Sequence, residues 1–170
     1  MFPDDAPSRA GRLLLLGIGN TILSDDGLGV AVARAAYELL PADLRGRVDL
    51  EDACTGGFDL VEYLPGYAAA VIADAIKTAG GEPGAVYTFD AADLKPTAHL
   101  AHVHGVNLAG ALAIADQLQL PIPSRVTVVA VEAADLYTFR EELTPAVGRA
   151  VEPAARAVVA ELTKLARDLP

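Results

Sequence analysis

Hydrophobic positions along this chain alternate between two textures. Short unbroken apolar runs give way to longer stretches in which apolar residues recur at helical spacing. Arg12–Ile18 holds four consecutive leucines, and such a run predicts a strand buried on both faces. Gly27–Leu40 predicts a helix that ends before Pro41. Arg47–Asp52 alternates Val48 and Leu50 with Asp49 and Glu51, the pattern of a strand with one wetter face. Phe58–Leu64 predicts a short helix stopped by Pro65-Gly66. Ala68–Ala73 predicts a third, buried strand ending at Asp74, and Ala85–Asp90 a fourth. Val106–Leu120 is an alanine-rich helix ended by Pro121, and Arg125–Val131 is a fifth strand. Pro145–Leu169 predicts a closing helix, with Thr144 as its cap and Pro145 at the first helical position. Pro153 interrupts that pattern, and a kink or break is expected near Val151–Glu152.

Strand–helix alternation of this kind predicts an α/β fold with a largely parallel sheet covered by helices. Only ten residues separate Asp74 from Ala85. A parallel crossover needs about 10–12 residues including its helix, so the fourth strand is expected to run antiparallel at an edge. Ala91–Val103 has no pattern of either kind and carries His99 and His102, with His104 just beyond; long loops of this sort often serve function. There is no internal repeat or linker, so residues 12–170 are read as a single domain behind a disordered tail over 1–11.

Composition narrows the function. A net charge of −10 repels phosphate backbones and argues against nucleic acid or an anionic membrane as partner. The acidic, proline-broken start lacks the pattern of a signal peptide, and no apolar run approaches the ~20 residues of a membrane span. Cys54 stands alone, which excludes an internal disulfide and fits a reducing, cytoplasmic setting. It is expected to be buried and inert.

Candidate chemistry gathers at the carboxyl ends of the strands, where open α/β sheets place their ligands. Gly17-Ile18-Gly19 follows the first strand, but position 22, where a dinucleotide fingerprint needs a third glycine, is Ile22. Asp25 and Asp26 would also repel a pyrophosphate there. Asp25 is the better helix cap by position, which leaves Asp26 to face the sheet rim. Asp74 ends a run too apolar for a surface strand and so requires a partner. If the first and third strands are neighbours, Asp26 and Asp74 converge. His104 precedes a helix, a position that favours neutral imidazole. Two carboxylates and one imidazole suit a borderline divalent ion such as nickel or zinc.

Four ordered segments carry a resemblance. They are Gly17-Ile18-Gly19-Asn20 through Asp25-Asp26-Gly27, Asp52-Ala53-Cys54-Thr55-Gly56, Val71-Ile72-Ala73-Asp74, and His104-Gly105-Val106-Asn107-Leu108. With Leu143-Thr144-Pro145, they make the chain similar to the hydrogenase maturation proteases over nearly all its length after residue 11. Asp26 stands where some members have Glu, Ala53 and Cys54 replace a glycine pair, and no proline follows Glu132. The resemblance implies a three-layer α/β/α, phosphorylase/hydrolase-like fold with a five-stranded mixed sheet of order 2-1-3-5-4. It implies a nickel-dependent endopeptidase that trims the C-terminal extension of a [NiFe] hydrogenase large-subunit precursor after metal insertion. Asp26, Asp74 and His104 would be both catalytic and metal-contacting, with the nickel supplied by the precursor. Water activated by the metal or by a carboxylate, or two carboxylates sharing a proton as in aspartic peptidases, would serve the chemistry. A cytoplasmic monomer is the expected form. A metal-sensing chaperone that does not cut, and a nucleotide-binding Rossmann-like module, are the competing readings.

Overall fold

The computed structural model describes residues 9–54, 60–93 and 104–169; of residues 104–107 and 109 it describes the helix and not the side chains. The parallel ladder is built from β1 (Leu13–Ile18), β2 (Val48–Ala53), β3 (Ala69–Ile76) and β5 (Val126–Glu132). The fourth strand, β4 (Val86–Asp90), pairs antiparallel with β5 and closes the order β2-β1-β3-β5-β4. The short connection after β3 thus produces the antiparallel edge that its length required.

The layers follow from strand alternation, which sends successive side chains to opposite faces. Leu13 and Leu15 enter a core shared with α1 (Leu28–Leu39) and α5 (Pro145–Asp168). Leu14, Leu16 and Ile18 enter a second core shared with α3 (Leu60–Tyr63) and α4 (His104–Gln117). β1 and β3 are buried along their whole length, as their unbroken apolar runs demand. The three-layer α/β/α arrangement is therefore the one expected.

Several boundaries differ from expectation for physical reasons. A 3₁₀ turn, Ser24–Gly27, precedes α1, and a one-turn helix α2 (Ala42–Arg45) precedes β2. The predicted loop after β4 opens with another 3₁₀ turn, Ala91–Asp93; His99 and His102 lie outside the described residues. α4 starts at His104, not near Val106, and finishes at Gln117. Gln119 then adopts φ 53°, and the Leu120 amide turns back to the Ala115 carbonyl at 2.9 Å, before Pro121.

The expected break in the last helix is absent: α5 runs from Pro145 to Asp168 through Pro153. Its buried positions, from Val147 and Ala150 through Val158 to Leu165, form one stripe, whereas Pro153 is exposed. Arg149, whose carbonyl loses its donor, is also exposed, so water can satisfy it. No described helix is long and apolar enough to cross a membrane.

Candidate active site

The site begins where β1 runs out. Gly19 has φ +141°, a region that side chains disfavour, and a Cβ there would overlap the Asp26 carbonyl. At Gly29, a Cβ would overlap the Ile18 and Ala73 carbonyls, so only glycine lets α1 start flush against β1 and β3. The glycines that resembled a phosphate cradle are consumed by this close approach of chain to chain.

The turn between them fixes Asp26. Its Oδ2 accepts the Asn20 amide at 2.9 Å, while Asn20 Oδ1 accepts the Ile22 amide at 3.2 Å. The Asp26 carboxylate is half-buried, and among the described residues no donor falls on its Oδ1. Asp74 lies inside β3, two residues before the strand's end, rather than at its terminus. The β1–β3 ladder stops at Gly17 and Ala73, whereas β3 continues beside β5 with Asp74 opposite Ala130. Asp74 therefore stands level with Ile18, the last residue of β1, one step past the last β1–β3 pair and at the point where the chain order reverses across the sheet. It is only 3% exposed, and its Oδ1 accepts the Ala75 amide at 2.8 Å. Alternation with Ala73 and Ala75, which face α1 and α5, turns Asp74 toward the α3/α4 layer.

His104 opens α4 in that same layer, where Leu108 and Ala111 are buried against the sheet. Its side chain lies outside those described. Without it, the described side chains contain no group of three His, Cys, Asp or Glu suited to a metal ion. The topology brings Asp26, Asp74 and the start of α4 to one edge of the sheet.

Asp25 is not the cap of α1. It lies inside the 3₁₀ turn that precedes that helix, Gly27 takes the N-cap, and Asp25 is fully buried. Its Oδ2 accepts the amides of Ala134 and Asp135, both at 2.9 Å, and the Thr144 hydroxyl at 2.9 Å; its Oδ1 accepts the Thr144 amide at 2.7 Å. Asp25 thereby ties the β5–α5 loop to the turn that carries Asp26. Thr144 does occupy the N-cap of α5, but it makes no side-chain cap bond because its hydroxyl is given to Asp25. Nothing local announced these contacts, since the partners lie 109 to 119 residues away.

Two further residues went unrecognised or were misjudged. Glu132, the last residue of β5, is completely buried; Thr78 donates its amide at 2.7 Å and its hydroxyl at 2.9 Å to the two carboxylate oxygens. Cys54 is exposed rather than buried, because it follows the end of edge strand β2. Neither Ala53 nor Cys54 has a positive φ, so their replacing glycines puts no strain on the backbone.

A cavity of about 750 Å³ opens at the opposite, amino-terminal edge of the sheet, lined by Arg9, Arg12, Arg45, Tyr37 and Tyr67 among others. Its cations already have structural work. Arg12 pairs with Asp49 through two nitrogens, one bond measuring 2.9 Å, and those bonds hold the Asp49 carboxyl below its ordinary range. Arg9 falls within the stretch 1–11 expected to be a tail, yet it lies 4.8 Å from the Tyr67 ring centre and donates to the Tyr63 and Pro65 carbonyls. Burial above all, with Asp49 adding to it against the pull of Arg9, pushes the Tyr67 phenol up to about 12.

Comparison with known proteins converges on one family. The family model for hydrogenase maturation proteases matches residues 33–161. The hydrogenase expression/formation protein HupD of Rhodobacter capsulatus is 32% identical over 155 residues, covering 89% of this chain and 71% of that protein. The hydrogenase 2 maturation protease of Escherichia coli K12 is 29% identical over 154 residues, covering 89% and 90%. In three dimensions, the hydrogenase maturating endopeptidase HybD from E. coli superposes with a TM-score of 0.71 at 28% identity, over 90% of this chain and 93% of that one. With the carboxylates at the switch point of the sheet and the family's pattern spanning most of the chain, this protein belongs to the hydrogenase maturation proteases and is a peptidase.

Proposed function

We propose that this peptidase removes the C-terminal extension of a [NiFe] hydrogenase large-subunit precursor after nickel has been inserted. The observation that carries the reading is the placement of Asp74. A nearly buried carboxylate stands level with the last residue of β1, on the face of the sheet covered by α4, beside the turn that holds Asp26. A metal-loaded substrate entering at this edge of the sheet brings its cation to carboxylates already held in place.

In this reading the nickel belongs to the substrate. Asp26, Asp74 and His104 complete the coordination that the precursor's cysteines begin, a mixed oxygen and nitrogen set that suits a borderline divalent ion. The Asn20 amide holds one oxygen of Asp26 and leaves the other to contact the ion. Coordination fixes the scissile peptide beside the carboxylates, so that recognition of a loaded precursor becomes proximity. Water then adds to the scissile carbonyl, activated by the metal or by a carboxylate that takes its proton. That proton passes to the departing amine as the peptide bond breaks. The protein works as a cytoplasmic monomer.

Mass spectrometry of the nickel-loaded precursor after incubation tests the reading, since loss of a C-terminal peptide separates a protease from a chaperone. Asp74→Asn and His104→Ala should keep the fold and slow cleavage by at least about a hundredfold. Normal processing by both variants would overturn the assignment.

A further inference from the structure

Large apolar side chains are exposed beside the candidate site in a way the fold does not require. Phe139 is 81% exposed, Tyr137 69% and Ile22 48%. Leu23 and Arg140 form a parallel β-bridge, closed by the Arg140 amide on the Ile22 carbonyl at 3.0 Å and the Ser24 amide on the Arg140 carbonyl at 2.6 Å. Ile22 and Phe139 immediately precede the two bridged residues, so the bridge brings their backbones together. Ile22 sits in the same turn as Asp26, four positions before it in the chain (26 − 22).

This segment is held outward by its own bonds. Asp25 grips the loop at Ala134, Asp135 and Thr144. Asp135 Oδ1 accepts the amides of Tyr137 at 3.0 Å and Thr138 at 3.1 Å. The Ser24 hydroxyl adds a bond to the Glu142 carbonyl at 3.2 Å. A loop pinned at so many points cannot turn its rings into the core, so the apolar surface stays presented to solvent.

We infer that Ile22, Tyr137 and Phe139 form a landing surface for an apolar stretch of the precursor protein flanking the cut, an inference that rests on the peptidase function proposed above. The patch is open rather than enclosed, which fits a protein surface better than a small molecule. A polyanion that stacks on aromatic rings is disfavoured by the net charge of −10. Continuity with the turn carrying Asp26 places whatever lands there next to the cleavage chemistry. Aromatic side chains on a rigid support are the usual anchors of such contacts.

The test uses the whole protein and the purified nickel-loaded precursor, with binding and cleavage measured separately. The double variant Tyr137→Ser/Phe139→Ser, and Ile22→Ser alone, change only exposed side chains and should leave the melting temperature nearly unaltered. The double variant should raise both Kd and KM about tenfold or more and leave kcat within about twofold. Leu118→Ser is the control: it is 63% exposed but follows α4 at the far edge of the sheet, and it should change neither constant. Unchanged Kd and KM in the double variant, with the native protein cleaving normally, would overturn the landing surface and spare the peptidase. Binding that depends on the patch without any cleavage would support the surface and overturn the proteolytic reading. Absence of both binding and cleavage in the native protein would overturn both.

Discussion

Removing the Asp25 carboxylate should loosen the β5–α5 loop from the turn that carries Asp26. Asp25→Ala leaves four donors without their acceptor: the amides of Ala134, Asp135 and Thr144 and the Thr144 hydroxyl. At about 1 kcal/mol net for each bond the loss is about 4 kcal/mol. Ala134 is exposed and can turn to water, which brings the expected loss to about 3 kcal/mol. For a chain of this size that corresponds to a fall of about 6–12 °C in melting temperature. Asp25→Asn is the sharper probe. Its carbonyl oxygen can serve the three donors that now meet Oδ2, but its amide nitrogen then faces the Thr144 amide, a donor against a donor. One unmet buried donor should cost about 1–2 kcal/mol. Thr144→Val removes only the hydroxyl bond and should cost about 1 kcal/mol. Urea unfolding of the single variants and of Asp25→Ala/Thr144→Val closes a double-mutant cycle with a coupling of about 1 kcal/mol. Strict additivity, or an Asp25→Ala variant within about 0.5 kcal/mol of the native protein, would show that the carboxylate does not carry the loop.

Two other perturbations follow from the same geometry. Gly29→Ala drives a methyl group into the Ile18 and Ala73 carbonyls, which cannot swing aside; it should destabilise by about 2 kcal/mol despite the better helix propensity of alanine, and lower cleavage by displacing Asp26. A variant as stable and active as the native protein would contradict the close approach at that point. Tyr67 keeps its proton in the folded state up to about 12, whereas an unfolded phenol ionises near its ordinary value of 10. Stability from this residue is therefore complete below about pH 10 and lost as pH rises through about 12, by roughly 2–3 kcal/mol. Denaturant melts between these limits should show a shallower decline for Tyr67→Phe than for the native protein, and parallel declines would refute the effect.

The alternation of apolar runs and helical spacing was enough to place the strands and the five-stranded sheet's helical layers, because the unbroken apolar runs of β1, β3 and β5 demand burial on both faces while the mixed pattern of β2 marks a wetter strand. The ten residues after Asp74 were enough to turn β4 antiparallel, because a parallel return cannot be made in that length. The burial of Asp74 was likewise legible, since it continues an apolar run that forms a strand buried along its whole length. What remained hidden depended on partners distant in the chain. Asp25 reads locally as a helix cap, and only the fold brings Ala134, Asp135 and Thr144 to it. Pro153 reads as a kink or break, and only its seat on the exposed side of α5 lets the helix continue through it. β3 ran past Asp74 because β5 was there to pair with it, and Leu23 met Arg140 because a bridge joined two loops far apart in sequence. Local pattern is set by burial and propensity within a few residues; hydrogen bonds between loops carry no such periodicity and are decided only when the tertiary fold closes.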